Sequence, residues 1–360
     1  MRKLNIAIIG LGNIGSYLFK YLNDNKKILT EKNNCLPVVK YISAKNKKRK
    51  RNIKFKKTQW LNNYLEATKL KDVDLIVELI GGAEGAAKKL VFAALKNKKN
   101  VVTANKALIA KYGDQLSKIA EDNKVNLEFE ASVCGGVPII RSLKEGLIAN
   151  KILKIYGIFN GTSNYILSSM DKENKSFSEV LLNAKKLGYA ESNPSSDLNG
   201  NDVSSKLKIL SSLCFNSFLN DKIYVEGIKD IDKTDINNAN KLGYKIKLLG
   251  FSEFFNNRFY QRVHPTLIKK DSYVASIDGV LNAVIVNGYP VGESVIQGEG
   301  AGPAATTSAL ISDISSILRG NIKFPFSLSC KERKRIKFDG IDERYFSAYL
   351  RFEVSDKPGV

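Results

Sequence analysis

Residues 4–9, LNIAII, form an unbroken apolar run that stops at GLGNIG, and the following SYLFKYL carries its apolar residues at helical spacing. This order predicts a buried strand, a glycine turn and a helix. Further strands are predicted over 36–43 (LPVVKYIS), 72–82 (DVDLIVELIGG), 100–106 (NVVTANK) and 125–136 (VNLEFEASVCGG). Between the later strands, AAKKLVFAALKN and GDQLSKIAEDN read as helices. Strands alternating with helices at this rhythm predict an α/β fold with a parallel, doubly wound sheet.

Beyond Gly136 the rhythm changes. KILKIYGIFNGTSN predicts a strand, helices follow around 164–170, 177–187 and 203–215, and the stretch 241–300 holds β-type runs such as YKIKLLGF and NAVIVNG. This is the pattern of a second, α+β domain. GEGAGPAATTSALISDISSIL (298–318) predicts another glycine turn leading into a helix, and AYLRFEVSDKPGV the start of a new strand. The organisation expected is a nucleotide-binding domain over 1–135, completed by about 302–320, and a second domain over 136–301.

The 360 residues are 43% hydrophobic, enough for well-buried cores in two domains. No apolar run approaches the ~20 residues that span a bilayer, so no membrane association is expected. The basic, apolar start resembles a signal peptide but lacks a small-residue cleavage site. Four scattered cysteines with no C-x-x-C pair, and a single histidine, argue against a zinc site and for a reduced, cytoplasmic protein. The net charge of +21 raises the question of nucleic acid. However, lysine is spread through the whole chain, only residues 45–57 (KNKKRKRNIKFKK) form a basic block, and no nucleic-acid-binding motif accompanies it. No nucleic-acid role is expected.

Gly10, Gly12 and Gly15 have the G-x-G-x-x-G spacing between the first strand and helix. This spacing suits a Rossmann-type dinucleotide site: one glycine for the tight turn, one for close approach of a pyrophosphate, and one for packing of the helix whose N-terminus faces the anion. An NAD-specific site expects an acid at the end of the second strand, to bind the ribose hydroxyls. Here Ser43, Lys45, Lys48 and Arg49 stand there instead, a setting that favours NADP(H) over NAD(H).

The stretch GYAESNPSSDLNGNDVSSK (188–206) concentrates Glu191, Asp197, Asp202 and Lys206 ahead of an apolar run. Asp202 and Lys206 are four apart and so neighbours on one helical face, which fits a surface ion pair worth ~0.3–0.5 kcal/mol as readily as a working site. Spacing alone leaves both readings open.

Six stretches decide between them: ELIGG, TANKALIA, EASVCGGVPII, FNGTSNYIL, LGYAE through SSKLKIL, and GEGAGPAAT. In content, order and spacing they resemble homoserine dehydrogenases over residues 4–320. The resemblance implies interconversion of L-homoserine and L-aspartate 4-semialdehyde by hydride transfer with a nicotinamide cofactor, on the route to threonine, methionine and isoleucine, by a homodimer or homotetramer. The second domain would then serve catalysis and dimerisation. The resemblance makes Lys206 catalytic, as oxyanion partner and proton donor, with Asp202 holding it or a water beside the substrate. Lys106 of TANK would touch cofactor and substrate and share the proton handling, and which lysine gives the final proton stays open. Glu191 would bind the substrate ammonium, supported by Asp197, Gly188, Asn160 and Thr162. Asn13, Ile14, Gly81 and Gly302 would join the three glycines at the cofactor. Glu130 with the carbonyls of Val133, Gly135 and Val137 resembles the family's monovalent-cation loop, sodium being expected. ESNPSSD departs from the more usual EPDPxxD, which leaves the matched acids in place. Residues 345–360 resemble the start of an ACT-like regulatory module, cut short. Cys134 admits a rival chemistry, a thiol-dependent semialdehyde dehydrogenase, but no base is evident beside it.

Overall fold

Residues 1–360, except 52, 56, 256–257, 344, 353 and 355–360, are described by the structure, a computed structural model. The alternating strands form a six-stranded parallel sheet from β1 (Arg2–Ile9), β2 (Cys35–Ser43), β3 (Gln59–Trp60), β4 (Leu75–Glu78), β5 (Asn100–Thr103) and β6 (Leu127–Glu128). Their spatial order is β3-β2-β1-β4-β5-β6, that of a Rossmann sheet, whose ligands bind outside the carboxyl ends of the strands. The register makes those ends level: Ile9 pairs with Ser43 on one side and Glu78 on the other, and Glu78 with Thr103. Gly10, Ala44, Leu79 and Ala104 therefore leave the sheet along one crest.

Several elements end earlier than the apolar runs suggest. The run predicted as a strand over 125–136 pairs only at Leu127–Glu128, because at Glu130 the backbone turns and its amide donates to Asp313 at 2.9 Å. The strand predicted over 100–106 stops at Thr103, where Asn105 caps the helix Lys106–Asn123 by accepting from the Leu108 amide at 3.1 Å. The two-residue β3 is too short to leave a periodic signal, and so what the sequence suggested as the third strand is the fourth.

The second sheet contains β7 (Lys151–Ile158), β8 (Tyr224–Val225), β9 (Tyr244–Phe255), β10 (Arg258–Lys269), β11 (Leu281–Tyr289), β12 (Gly292–Glu299) and β13 (Phe338–Asp339). Its order is β12-β11-β7-β9-β10-β13, with β8 also on β10. The helices Gly161–Glu173 and Asn201–Phe215 pack on it, and Phe159, Val203, Leu207 and Leu210 belong to the apolar core they share. The chain returns to the first sheet after β12: the Gly136 amide donates to the Glu299 carbonyl at 2.9 Å. The helix Pro303–Leu318 then packs on the helix Asn13–Asp24, with Leu310 and Ile314 in one cluster with Leu18 and Leu22. Among the described residues no helix is long and apolar enough to cross a membrane.

In the tail, the strand expected to begin at 345 has no sheet partner among the described residues, and 355–360 lie outside them. Instead, Tyr349 and Arg351 hold this segment against the helix Lys233–Lys241, the Tyr349 hydroxyl meeting Asp235 at 3.2 Å and Arg351 meeting Asp232 at 2.7 Å.

Candidate active site

The glycine turn shows which contacts the protein itself dictates. A Cβ on Gly10, which has φ +107°, would lie 2.3 Å from the Leu79 carbonyl oxygen, and one on Gly15 would lie 2.0 Å from that of Gly10. Both are fixed by close packing of strand, turn and helix. At Gly12 nothing of the protein lies within 4 Å of such an atom. Gly12 is the N-cap of Asn13–Asp24, with no side-chain cap and no acid in the first turn. The free N–H groups and the positive end of the helix macrodipole are thus left to an anion. These residues fit a dinucleotide pyrophosphate.

The turns beside it are pinned by buried side chains that the sequence reading did not single out. The Glu78 carboxylate, fully buried, accepts the amides of Ile80 at 2.7 Å and Gly81 at 3.0 Å, and the Thr103 hydroxyl at 2.6 Å. Asn105 donates to the Gly82 carbonyl at 2.7 Å. An acid inside the apolar run LIVELI was the available signal.

On the β2 side, Lys45 and Arg49 are exposed. Arg51 donates to the Leu11 carbonyl of the glycine turn at 3.0 Å and stacks 5.6 Å from the Trp60 ring, folding the basic loop over the crest. Ser43 stands apart from the sequence expectation. It is buried and its hydroxyl donates to the Leu61 carbonyl at 2.9 Å, so it braces the strand end rather than facing a ribose.

Two halves of the molecule meet at Asp202. This carboxylate, in the first turn of Asn201–Phe215, has a side chain 4% exposed. One oxygen meets Lys106 Nζ at 2.7 Å, from the first residue of Lys106–Asn123. The other meets Lys206 Nζ at 2.9 Å and the Asn160 amide at 2.8 Å. Asn160 also donates to Asp197 at 2.8 Å, and Lys206 to the Phe159 carbonyl at 2.6 Å. Asn282, an isolated polar residue in the apolar β11, donates to the same carbonyl at 3.0 Å.

Burial would protonate Asp202, but Lys206, Lys106 and Asn160 outweigh it and hold the carboxyl below the usual carboxylate range. Burial likewise works against the Lys206 ammonium, and Asp202 overcomes it, so its pKa lies above the ordinary lysine value. Asp197 is raised, by burial first and then by the Asp202 charge. The cluster therefore stores one buried, protonated lysine.

Gly188 and Glu191 lie on an exposed turn that is anchored to the second sheet's helix, since the Thr162 hydroxyl donates to the Tyr189 carbonyl at 2.7 Å. Among the described residues no ion pair is formed by the Glu191 carboxylate, which leaves it available to a cationic group.

In the Glu130 loop the oxygens expected around a cation are partly engaged by the protein. Both Glu130 carboxylate oxygens accept amides, of Ile140 at 2.9 Å and Arg141 at 2.6 Å, and the Val137 carbonyl accepts the Ile139 amide at 2.8 Å. Burial pushes the Glu130 carboxyl up to about 7. Each of these oxygens keeps a second lone pair, so Glu130 and the carbonyls of Val133, Gly135 and Val137 stay open to a hard cation.

Cys134 is fully enclosed, and burial pushes its thiol up to about 11. A thiol that is not ionised near neutral pH is a poor nucleophile. Cys134→Ala is expected to keep homoserine-dependent turnover within about fivefold of wild type, since no covalent step uses the sulfur. Initial rates check this, and complete loss would revive the thiol-dependent reading.

A crest built for a pyrophosphate, with a protonated lysine beside a buried carboxylate at its edge, defines a nicotinamide-dependent oxidoreductase. The comparisons with known proteins narrow the class. Residues 10–130 match the family model described as homoserine dehydrogenase, NAD binding domain, and residues 138–315 the model of homoserine dehydrogenase. The homoserine dehydrogenase of Neisseria gonorrhoeae is 40% identical over 100% of this chain and 84% of its own length, and that of Helicobacter pylori is 39% identical over the same shares. The crystal structure of a homoserine dehydrogenase from Thiobacillus denitrificans superposes with a TM-score of 0.90 at 36% identity, covering 94% of this chain and 80% of that one. The chain belongs to the homoserine dehydrogenase family. It is an oxidoreductase acting on a CH–OH group with NAD(P), interconverting L-homoserine and L-aspartate 4-semialdehyde.

Proposed function

We propose that Lys206 is the acid–base group of this reaction, that Asp202 holds it, that Lys106 on the same carboxylate touches cofactor and substrate and shares the proton handling, and that the cofactor preferred is NADP(H). The supporting observation is the convergence of Lys106 and Lys206, from two different domains, on the single buried carboxylate of Asp202. The nicotinamide, when bound, gives or takes the hydride. During reduction, negative charge develops on the aldehyde oxygen. The Lys206 ammonium stabilises it and delivers the proton, and Asp202 keeps that ammonium charged and aimed. In the oxidative direction Lys206 must first lose its proton, then take one from the hydroxyl. Glu191 binds the substrate ammonium through a charge-assisted contact, with Asp197, Asn160, Thr162 and Gly188 shaping that end. Gly10, Gly12, Asn13, Ile14, Gly15, Gly81 and Gly302 line the cofactor.

For the cofactor choice, the exposed Lys45 and Arg49 support the 2′-phosphate reading. Reversing both charges, in Lys45→Glu with Arg49→Glu, is expected to raise KM for NADP by on the order of tenfold, about 1.4 kcal/mol, and to leave KM for NAD within about twofold. Initial rates with each cofactor test this. Equal effects on both would remove the loop from phosphate recognition. From the family resemblance come also the place on the route to threonine, methionine and isoleucine, a homodimeric or homotetrameric assembly, a cytoplasmic location and an ACT-like module starting near residue 345. The same resemblance supplies a sodium ion held by Glu130 and the carbonyls of Val133, Gly135 and Val137.

A further inference from the structure

We infer that Arg333 is a positioning residue, whose guanidinium clamps the helix bearing Lys106 to the helix bearing Asp202 and Lys206. It lies beyond the residues that either family model matches. Its side chain is fully buried and its Nη2 donates to Asp114 at 2.6 Å, to the Ser212 hydroxyl at 2.8 Å and to the Ser217 carbonyl at 2.8 Å, while Nε also meets that carbonyl at 3.2 Å. The guanidinium also lies over the Phe326 and Phe218 rings, 4.3 and 4.9 Å from their centroids.

The placement is what connects this clamp to catalysis. Asp114 lies ~12 Å along its helix from Lys106, and Ser212 ~9 Å along the other from Lys206. Both helices start at the reacting cluster and run away from it. The Lys106–Asp202 contact joins the pair at one end and Arg333 joins it again farther along, so together they fix separation and tilt. The cation also sits at the C-terminal, electronegative end of Asn201–Phe215, and the Cys330 amide, donating to Glu121 at 2.9 Å, straps the same segment to Lys106–Asn123. A planar guanidinium can satisfy these acceptors at once, whereas an ammonium cannot. If the clamp opens, Lys106 shifts against Asp202, and displacements of about 1 Å at a reacting cluster cost up to about 100-fold in rate.

The inference rests on Lys206 and its partners being the reacting cluster, so the full chain is assayed with Lys206→Ala alongside. In Arg333→Met, kcat for homoserine oxidation is expected to fall on the order of tenfold, a larger change than in KM for homoserine or NADP. Arg333→Lys should recover part of the loss. Adding Arg333→Met to Lys106→Met should cost little further, because both act through one contact. Wild-type kcat in a variant whose thermal midpoint alone has dropped, or full additivity with Lys106→Met, would overturn the clamp. Should Arg333→Met not fold, Asp114→Ala removes the same link from a partly exposed site, and wild-type kcat there would overturn it equally. Activity retained in Lys206→Ala would instead sink the reading of the cluster itself.

Discussion

Lys206→Ala is expected to lower kcat in both directions by about 10²–10⁴, the usual worth of a positioned acid–base group, while the affinity for NADPH stays close to wild type. The loss should fall on kcat because the ammonium acts on charge that exists only as the hydride moves. The fold should survive, since Asp202 keeps Lys106 at 2.7 Å and Asn160 at 2.8 Å when Lys206 is gone. Steady-state kinetics with a separate NADPH titration would check both halves. A variant that turns over at the wild-type rate would remove Lys206 from the chemistry. One that fails to bind cofactor would make it a structural residue.

Asp202→Asn is expected to be worse for the protein as a whole. It leaves the Lys206 ammonium buried without its counter-charge, and breaking a buried ion pair on one side costs about 3–5 kcal/mol. The lysine should then drop its proton far more readily, so the variant loses both stability and the acid. The pH dependence follows from the directions of the two shifts. Asp202 is held below its unfolded value, so its contribution is present above the ordinary carboxylate range and is lost as pH falls through the still lower folded value. Lys206 is held above its unfolded value, so its contribution is present below the ordinary lysine range and is lost as pH rises through the folded value. The stability gap between wild type and Asp202→Asn should therefore be widest between those limits and close in strong acid. Denaturant melts across pH would show it, and a variant as stable as wild type at pH 7 would contradict the pairing.

The strand–helix alternation and G-x-G-x-x-G turn were legible because both depend on local chemistry: apolar runs for buried parallel strands, and glycines where backbone meets backbone. The Asp202–Lys206 spacing was legible too, but not its burial, which comes from β7, β11 and the helix Lys106–Asn123 closing over it. The Lys106–Asp202 contact joins residues nearly a hundred positions apart and has no signature in spacing. Asn282 and Glu78 were visible only as polar residues in apolar strands, a signal that marks a buried partner without naming it. Neither the burial of Ser43 nor the bond its hydroxyl makes to the Leu61 carbonyl has a signature in the sequence. Arg333 could not be read at all, since its hydrogen-bond partners come from two distant segments, around Asp114 and around Ser212–Ser217.

The most direct test of Lys206 as a protonated acid is the pH dependence of homoserine oxidation by the wild-type chain, set beside aldehyde reduction. Because burial is outweighed by Asp202, the ammonium persists through neutral and mildly alkaline pH. Oxidation, which needs the free amine, should climb steadily as pH rises from 7 toward 10, while reduction, which needs the ammonium, stays level over that range. An oxidation rate already flat at pH 7, or a Lys206→Ala variant that keeps the same climb, would show that another group moves the proton.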